Sequence, residues 1–132
     1  MLLTADVGNT NIKFGIYDGD EIKFKLRVST DTAKTSDGFA VELYTFFQIY
    51  DISAESIDSS IISSVVPKIT SPLSDAIETV SGVKSLVVGP GIKSGLNIRI
   101  DNPEKTGADI VAGCVGAYEK YGGPFIIIFM GT

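Results

Sequence analysis

Two short stretches of the chain carry side chains able to hold a phosphate and move a proton. The first is Asp6-Val7-Gly8-Asn9-Thr10-Asn11-Ile12-Lys13, set between two strand-like segments. Gly8 permits close backbone approach, successive N–H groups of such a turn form an anion-binding nest, and Asn9, Thr10 and Asn11 add side-chain donors. Asp6, at the end of its strand, is placed to hold a hydrated Mg²⁺ beside that phosphate, and Lys13 adds positive charge. The same residues also read as a plain hairpin in which Asp6 accepts hydrogen bonds from the turn, and spacing does not choose between the two. The second stretch is Thr106-Gly107-Ala108-Asp109. As a general base, Asp109 would take a proton from a substrate hydroxyl during phosphoryl transfer. Alternatively Thr106 caps a helix and Asp109 returns a hydrogen bond, the Asp variant of a capping box, with its carboxylate at the positive end of the helix dipole. Spacing alone favours the cap.

Other chemistries are excluded by residue type. No Gly-Lys-Ser/Thr triplet opens a helix, and the turn at Gly8 leads into a strand, so neither a Walker loop nor a dinucleotide fingerprint is present. Gly89-Pro90-Gly91-Ile92-Lys93-Ser94-Gly95 misses the fingerprint spacing by one residue and has proline in its turn. The chain has no histidine, which removes imidazole bases and metal ligands. Its single cysteine, Cys114, lies among Val111, Ala112 and Val115 and reads as a small buried hydrophobe. Catalysis is left to carboxylates, lysines, hydroxyls and backbone dipoles.

The elements that must position these groups follow from periodicity. Leu2 to Val7 and Ile12 to Tyr17 read as strands. Asp18-Gly19-Asp20 is a hairpin signal, and Ile22, Phe24, Leu26 and Val28 then alternate with charged residues. A helix beginning at Ser36-Asp37 is predicted from the spacing of Phe39, Leu43, Phe46 and Phe47. Ile57 to Val66 reads as a buried strand, Ile69 to Val80 as a helix and Val83 to Val88 as a short strand. Leu96 to Ile100 is expected to be extended. Thr106 to Tyr121 reads as a helix closed by Gly122-Gly123-Pro124, and an apolar strand is expected from Phe125. Gly113 and Gly116 fall inside that last helix, where each costs about 1 kcal/mol against alanine, so they mark a face kept for close approach by a backbone, a partner helix or a ligand. A meander followed by crossovers implies a mixed sheet flanked by helices.

At 132 residues the chain suits one domain, and 44% hydrophobic with 20% charged residues is an ordinary soluble composition. A net charge of −5 without a long basic run argues against a nucleic-acid partner. There is no signal-peptide core and no apolar run long enough for a bilayer, so the expected setting is cytoplasmic with no membrane partner.

Taken together, "DVGNTNIKFGIYD", "LRVSTDTAKTSDGFA", "ISSVVP", "GPGIKSGLNIRIDNP", "GADIVAGCVGAYEKYGG" and "IIIFMGT" resemble the N-terminal half of a type III pantothenate kinase, within the superfamily of acetate and sugar kinases, Hsp70 and actin. The resemblance runs in order along essentially the whole chain. It implies an α/β, ribonuclease H-like mixed sheet, with residues 1–123 as the lobe bearing the first phosphate loop and residues 124–132 as the first strand of a second lobe. It implies transfer of the γ-phosphoryl of ATP to pantothenate, the first step toward coenzyme A, with Mg²⁺, a monovalent cation (K⁺ or NH₄⁺) and a homodimer. By position, Asp6 to Lys13 match the first phosphate loop and Gly107, Ala108, Asp109 and Ile110 the substrate-binding stretch, with Asp109 as proton acceptor. Thr132 matches a nucleotide-contacting threonine.

Three positions depart from the family pattern. Ile110 stands where arginine is common, Ile100 where many members carry an aromatic, and Phe129 where an aspartate meets the monovalent cation. Phenylalanine cannot ligate a cation, so that site is expected to be lost. The chain is expected to break off within the second phosphate loop and, lacking the lobe that closes the cleft, to turn over nothing by itself. The alternative is a non-catalytic module that binds nucleotide or pantothenate, or dimerises through the small-residue face of the last helix. An uncharged, β-prone segment without a partner is an aggregation hazard, so removal of Phe125 to Thr132 is expected to improve solubility.

Overall fold

The computed structural model describes residues 1–89, 92–99, 101–102 and 105–130. Strands β1 (Leu2–Val7), β2 (Asn11–Asp18) and β3 (Glu21–Ser29) form the expected meander, and helix α1 (Ser36–Ile49) follows. Strand β4 (Ser59–Ser64), helix α2 (Pro67–Ser81), strand β5 (Leu86–Val88) and helix α3 (Ala108–Tyr121) complete the order. The five strands lie in the order β3-β2-β1-β4-β5. Both β1–β2 and β2–β3 are antiparallel, whereas β4 runs parallel to β1 and β5 parallel to β4. This is the mixed, helix-flanked α/β sheet expected from the sequence.

One face of the sheet holds the core. Leu3, Ala5 and Val7 of β1, Ile12, Phe14 and Ile16 of β2, and Ile62 of β4 are buried with Phe39, Leu43 and Phe47 of α1 and Ile69, Leu73, Ala76 and Ile77 of α2. The period of two along a strand then turns Thr4 and Asp6 of β1 to the other face. Local chemistry sets the helix ends. The Thr35 hydroxyl accepts the Gly38 N–H (3.2 Å) to start α1. Pro67 opens α2 at the first helical position, where its missing N–H costs no intrahelical bond, and Gly82 closes it at φ +72°. The helix therefore begins earlier than the apolar spacing from Ile69 indicated. No helix among the described residues is long and apolar enough to cross a membrane.

Several sequence expectations are corrected. β4 ends at Ser64 rather than Val66, and β5 begins only at Leu86. Leu96–Arg99 joins no strand, and Ile100 lies outside the described residues. Phe125–Met130 also joins no strand: it has no ladder partner among the described residues and lies instead along α3. Phe125 stacks near Tyr118 (ring centroids 6.5 Å apart), and the Phe129 ring reaches Gly113. Odd-numbered residues of this strap are the less exposed ones, while Ile126, Ile128 and Met130 stand 92%, 80% and 93% exposed. Because α3 buries only its first residue, Ala108, Cys114 is half-buried rather than a core side chain.

Candidate active site

Ladder register assembles the first part of the site. Asp6 pairs with Lys13 across the β1–β2 ladder and with Ser63 across the β1–β4 ladder. Lys13, Asp6 and Ser63 therefore form one row across three strands, on the face opposite the core. Lys13 Nζ donates to Asp6 Oδ2 at 3.3 Å. Both side chains are about half exposed, and a pair of this kind is worth about 0–1 kcal/mol, so an incoming phosphate or cation can part it. Among the described residues, the Asp6 carboxylate draws its hydrogen bond from Lys13 and not from the turn amides.

The turn above this row is braced from beneath. Gly8 N donates to the Asn11 carbonyl (2.9 Å), the Thr30 hydroxyl donates to the Gly8 carbonyl (2.7 Å), and Thr30 N donates to the Thr10 carbonyl (2.9 Å). The Gly8 N–H is thus committed to the turn and is not one of the nest's donors. A Cβ at position 8 would lie 3.2 Å from the Asn11 carbonyl oxygen, so glycine lets the turn close this tightly. Val7 and Ile12 point their side chains into the core, 1% and 0% exposed, and can offer a ligand only backbone.

Asp109 arrives from the opposite side, in the first turn of α3. The capping box anticipated around it does not form. The helix is capped by Gly107 without a side-chain bond, one residue later than a Thr106 cap requires, and Thr106 Oγ1 is buried with no partner among the described residues. Asp109 Oδ1 instead accepts the N–H of Ile110 (2.9 Å). A Cβ on Gly107 would collide with that same Oδ1, so glycine makes room for the carboxylate to curl back and be held. The bond orients the carboxylate at the positive end of the helix.

Between these parts lies a cleft of about 700 Å³. One wall is the turn, from Asp6 and Gly8 through Asn9, Thr10 and Asn11 to Lys13; the other is α3, through Asp109, Ala112 and Gly113. Ser63 and Val65 at the end of β4 also line it, and Phe129 and Met130 close one side. The structure thus joins two stretches some hundred positions apart, while Gly107, Ala108 and Ile110 stay off the lining and Thr132 lies outside the described residues. Ser63 escapes a reading of the sequence because its place depends on which strand pairs with β1, and "ISSVVP" by itself looks like a buried strand end.

Among the described residues no three acidic or cysteine side chains gather around a metal position, so a divalent cation here would rest on one or two carboxylates. Mg²⁺ characteristically takes one or two carboxylates and completes its octahedron with phosphate oxygens and water. Asp6, half exposed on the cleft lining, would supply one such carboxylate. The strap is the remaining wall. A Cβ on Gly113 would come within 2.7 Å of two Phe129 ring carbons, so this glycine of the small-residue face is occupied by the chain itself, while a Cβ on Gly116 would meet no described group outside its own helix within 4 Å. Replacing Gly113 with alanine is expected to lift Phe129 off α3. Amide exchange in residues 125–130 should quicken several-fold with the urea midpoint unchanged; unaltered exchange would mean that the ring shifts without releasing the strap.

Comparison with known proteins places this geometry. A family model described as type III pantothenate kinase matches residues 2–132. Proteins named type III pantothenate kinase from Bifidobacterium animalis subsp. lactis and from Exiguobacterium sp. are each 42% identical over 132 residues, covering 100% of this chain and 52% of theirs. One from Bifidobacterium longum subsp. infantis is 40% identical with the same coverage. The chain therefore spans about half the length of these curated relatives. Among solved structures, one of RuvC from Thermus thermophilus matches with TM-score 0.40 and 11% identity over 92% of this chain and 96% of that one, too distant to carry an argument. With residues 2–132 inside the family match, the chain belongs to the type III pantothenate kinase family.

Proposed function

We propose that the chain serves ATP-dependent phosphorylation of pantothenate in the cytoplasm, the step that opens coenzyme A synthesis. The observation that supports this reading best is the single cleft in which the Asp6–Lys13 turn faces Asp109, phosphate-holding groups on one wall and a proton acceptor on the other. The turn and Lys13 receive the triphosphate, Lys13 exchanging Asp6 for phosphate oxygens. Asp109, held by Ile110 N–H, accepts the proton of the primary hydroxyl as the hydroxyl oxygen attacks the γ-phosphorus, and the bond from that phosphorus to the β–γ bridging oxygen breaks to release ADP. Mg²⁺, with Asp6 among its ligands or their hydrogen-bond partners, would supply charge neutralisation of the phosphates.

A monovalent cation does not fit the residues present. Phe129 offers no oxygen, and its ring is seated on Gly113. Likewise Ile110, 39% exposed and off the cleft lining, gives the pantothenate carboxylate no guanidinium to meet. Residues 1–123 act as the lobe carrying the first phosphate loop, and residues 124–132 as the beginning of a second lobe. Phosphoryl transfer draws on positioning and charge stabilisation from both sides of the nucleotide, and these 132 residues span about half the length of the curated relatives, so by themselves they are expected to bind without turnover.

Isothermal calorimetry with Mg-ATP and with pantothenate, in potassium buffer, tests the proposal. Heat from either ligand supports it; silence with both from folded protein leaves kinase ancestry without kinase ligands. A second reading, a homodimerising module, draws support from the open helix face at Gly116 and the exposed strap. Light scattering that finds a dimer binding neither ligand would favour it.

A further inference from the structure

Strand β4 contains four serines, and their hydroxyls have unequal fates. Ser59 Oγ donates to Asp58 Oδ1 (2.8 Å), and Ser60 Oγ pairs with Ser85 Oγ (2.9 Å). Ser64 Oγ takes the Val66 N–H (3.1 Å) and the Thr70 hydroxyl (2.8 Å). Ser63 Oγ is buried with no partner among the described residues, although it sits beside Asp6 in the ladder and on the lining of the cleft. A buried hydroxyl left unpaired gives up its water without compensation, so a fold that satisfies its neighbours and not this one is missing a partner there.

The missing partner is defined by place. Ser63 is level with Asp6, one residue further into the sheet than Val7 and Ser64, so it lies behind the phosphate-holding turn rather than under it. A group bound there meets a carboxylate on one side and a hydroxyl on the other. Bare phosphate is repelled by the carboxylate. A water of a hydrated cation suits both, since Mg²⁺ gives up its waters reluctantly and each such water is a strong donor. A serine hydroxyl reorients about a single χ1 torsion and is able to accept such a bond while donating onward.

We propose that Ser63 is a positioning residue whose Oγ accepts a hydrogen bond from a water of the Mg²⁺ that Asp6 holds. The inference rests on the reading of the cleft as a nucleotide site. Nothing in the residue pattern of a buried strand asks for serine here; alanine would fill the place without an orphaned hydroxyl.

Calorimetric titration of ATP into the folded chain, once with Mg²⁺ and once with EDTA, separates the metal-dependent part of binding from the rest. Ser63→Ala is expected to weaken Mg-ATP about tenfold and to leave ATP in EDTA unchanged. Ser63→Thr, which keeps the hydroxyl, should recover most of the loss. The urea midpoint of Ser63→Ala should equal or exceed that of the parent chain, because an unpaired hydroxyl is removed. Equal affinity of parent and Ser63→Ala for Mg-ATP overturns the inference and leaves the nucleotide site standing, as does equal weakening in both titrations. A lowered urea midpoint with unchanged metal dependence would make the serine structural and also overturn it. No nucleotide binding by the parent chain under either condition overturns the site reading and the inference with it.

Discussion

Asp6→Asn should move the affinity for ATP in opposite directions with and without metal. With Mg²⁺ present, loss of the carboxylate removes a charge-assisted contact worth about 1.5–3 kcal/mol, a weakening of roughly 10- to 150-fold. In EDTA the same substitution deletes a negative charge facing a polyanion and releases Lys13, now 3.3 Å from Asp6, so metal-free ATP should bind as well or better. Stability should hardly change, because the half-exposed ion pair contributes little. Calorimetry in the two buffers reads both signs in one preparation. Parallel weakening in the two buffers would show that Asp6 shapes the turn rather than holding a cation.

The second large effect concerns the opposite face of the sheet. Phe39 is fully buried, with Lys34 Nζ 5.2 Å from its ring centroid, and it packs in the cluster joining α1, α2 and the central strands. Phe39→Ala is expected to destabilise the chain by about 3–5 kcal/mol, through lost transfer energy and the cavity left behind. Against a total of roughly 5–15 kcal/mol for a domain, that is enough to bring the urea midpoint down sharply. Val41, on the same helix and 68% exposed, provides the contrast: Val41→Ala should stay within about 0.5 kcal/mol. Urea unfolding of both variants checks the pair, and a loss below about 1 kcal/mol at Phe39 would mean that the core closes over the gap.

How much of this was legible in the sequence depends on the range of the interaction. The meander and the helices show in alternation, in the Asp18-Gly19 turn and in 3.6-residue spacing, since each is decided within a few residues. The two chemical stretches are recognisable by residue type, and their approach across one cleft became visible only in three dimensions. The pairing of β4 with β1, and with it the place of Ser63, is a long-range choice that no local pattern records. At Thr106 the local rule named the wrong cap, because the helix starts at Ala108 and Asp109 satisfies its own turn. Phe125–Met130 misled for a different reason. Period-two burial is common to a strand and to an extended strap on a helix, and only the partner tells them apart.

The division of the sheet into a face that folds and a face that handles ligands has a consequence for how the protein can change. Leu3, Ala5, Val7, Ile12, Phe14 and Ile62 carry the cohesion, whereas Asp6, Lys13 and Ser63 hang from the same strands and contribute almost none of it. Alternating residues of one segment thus answer to separate demands, and a lineage or a library can explore new ligand chemistry at the second set with the first held constant. Loss of one function and gain of another need not pass through an unfolded intermediate.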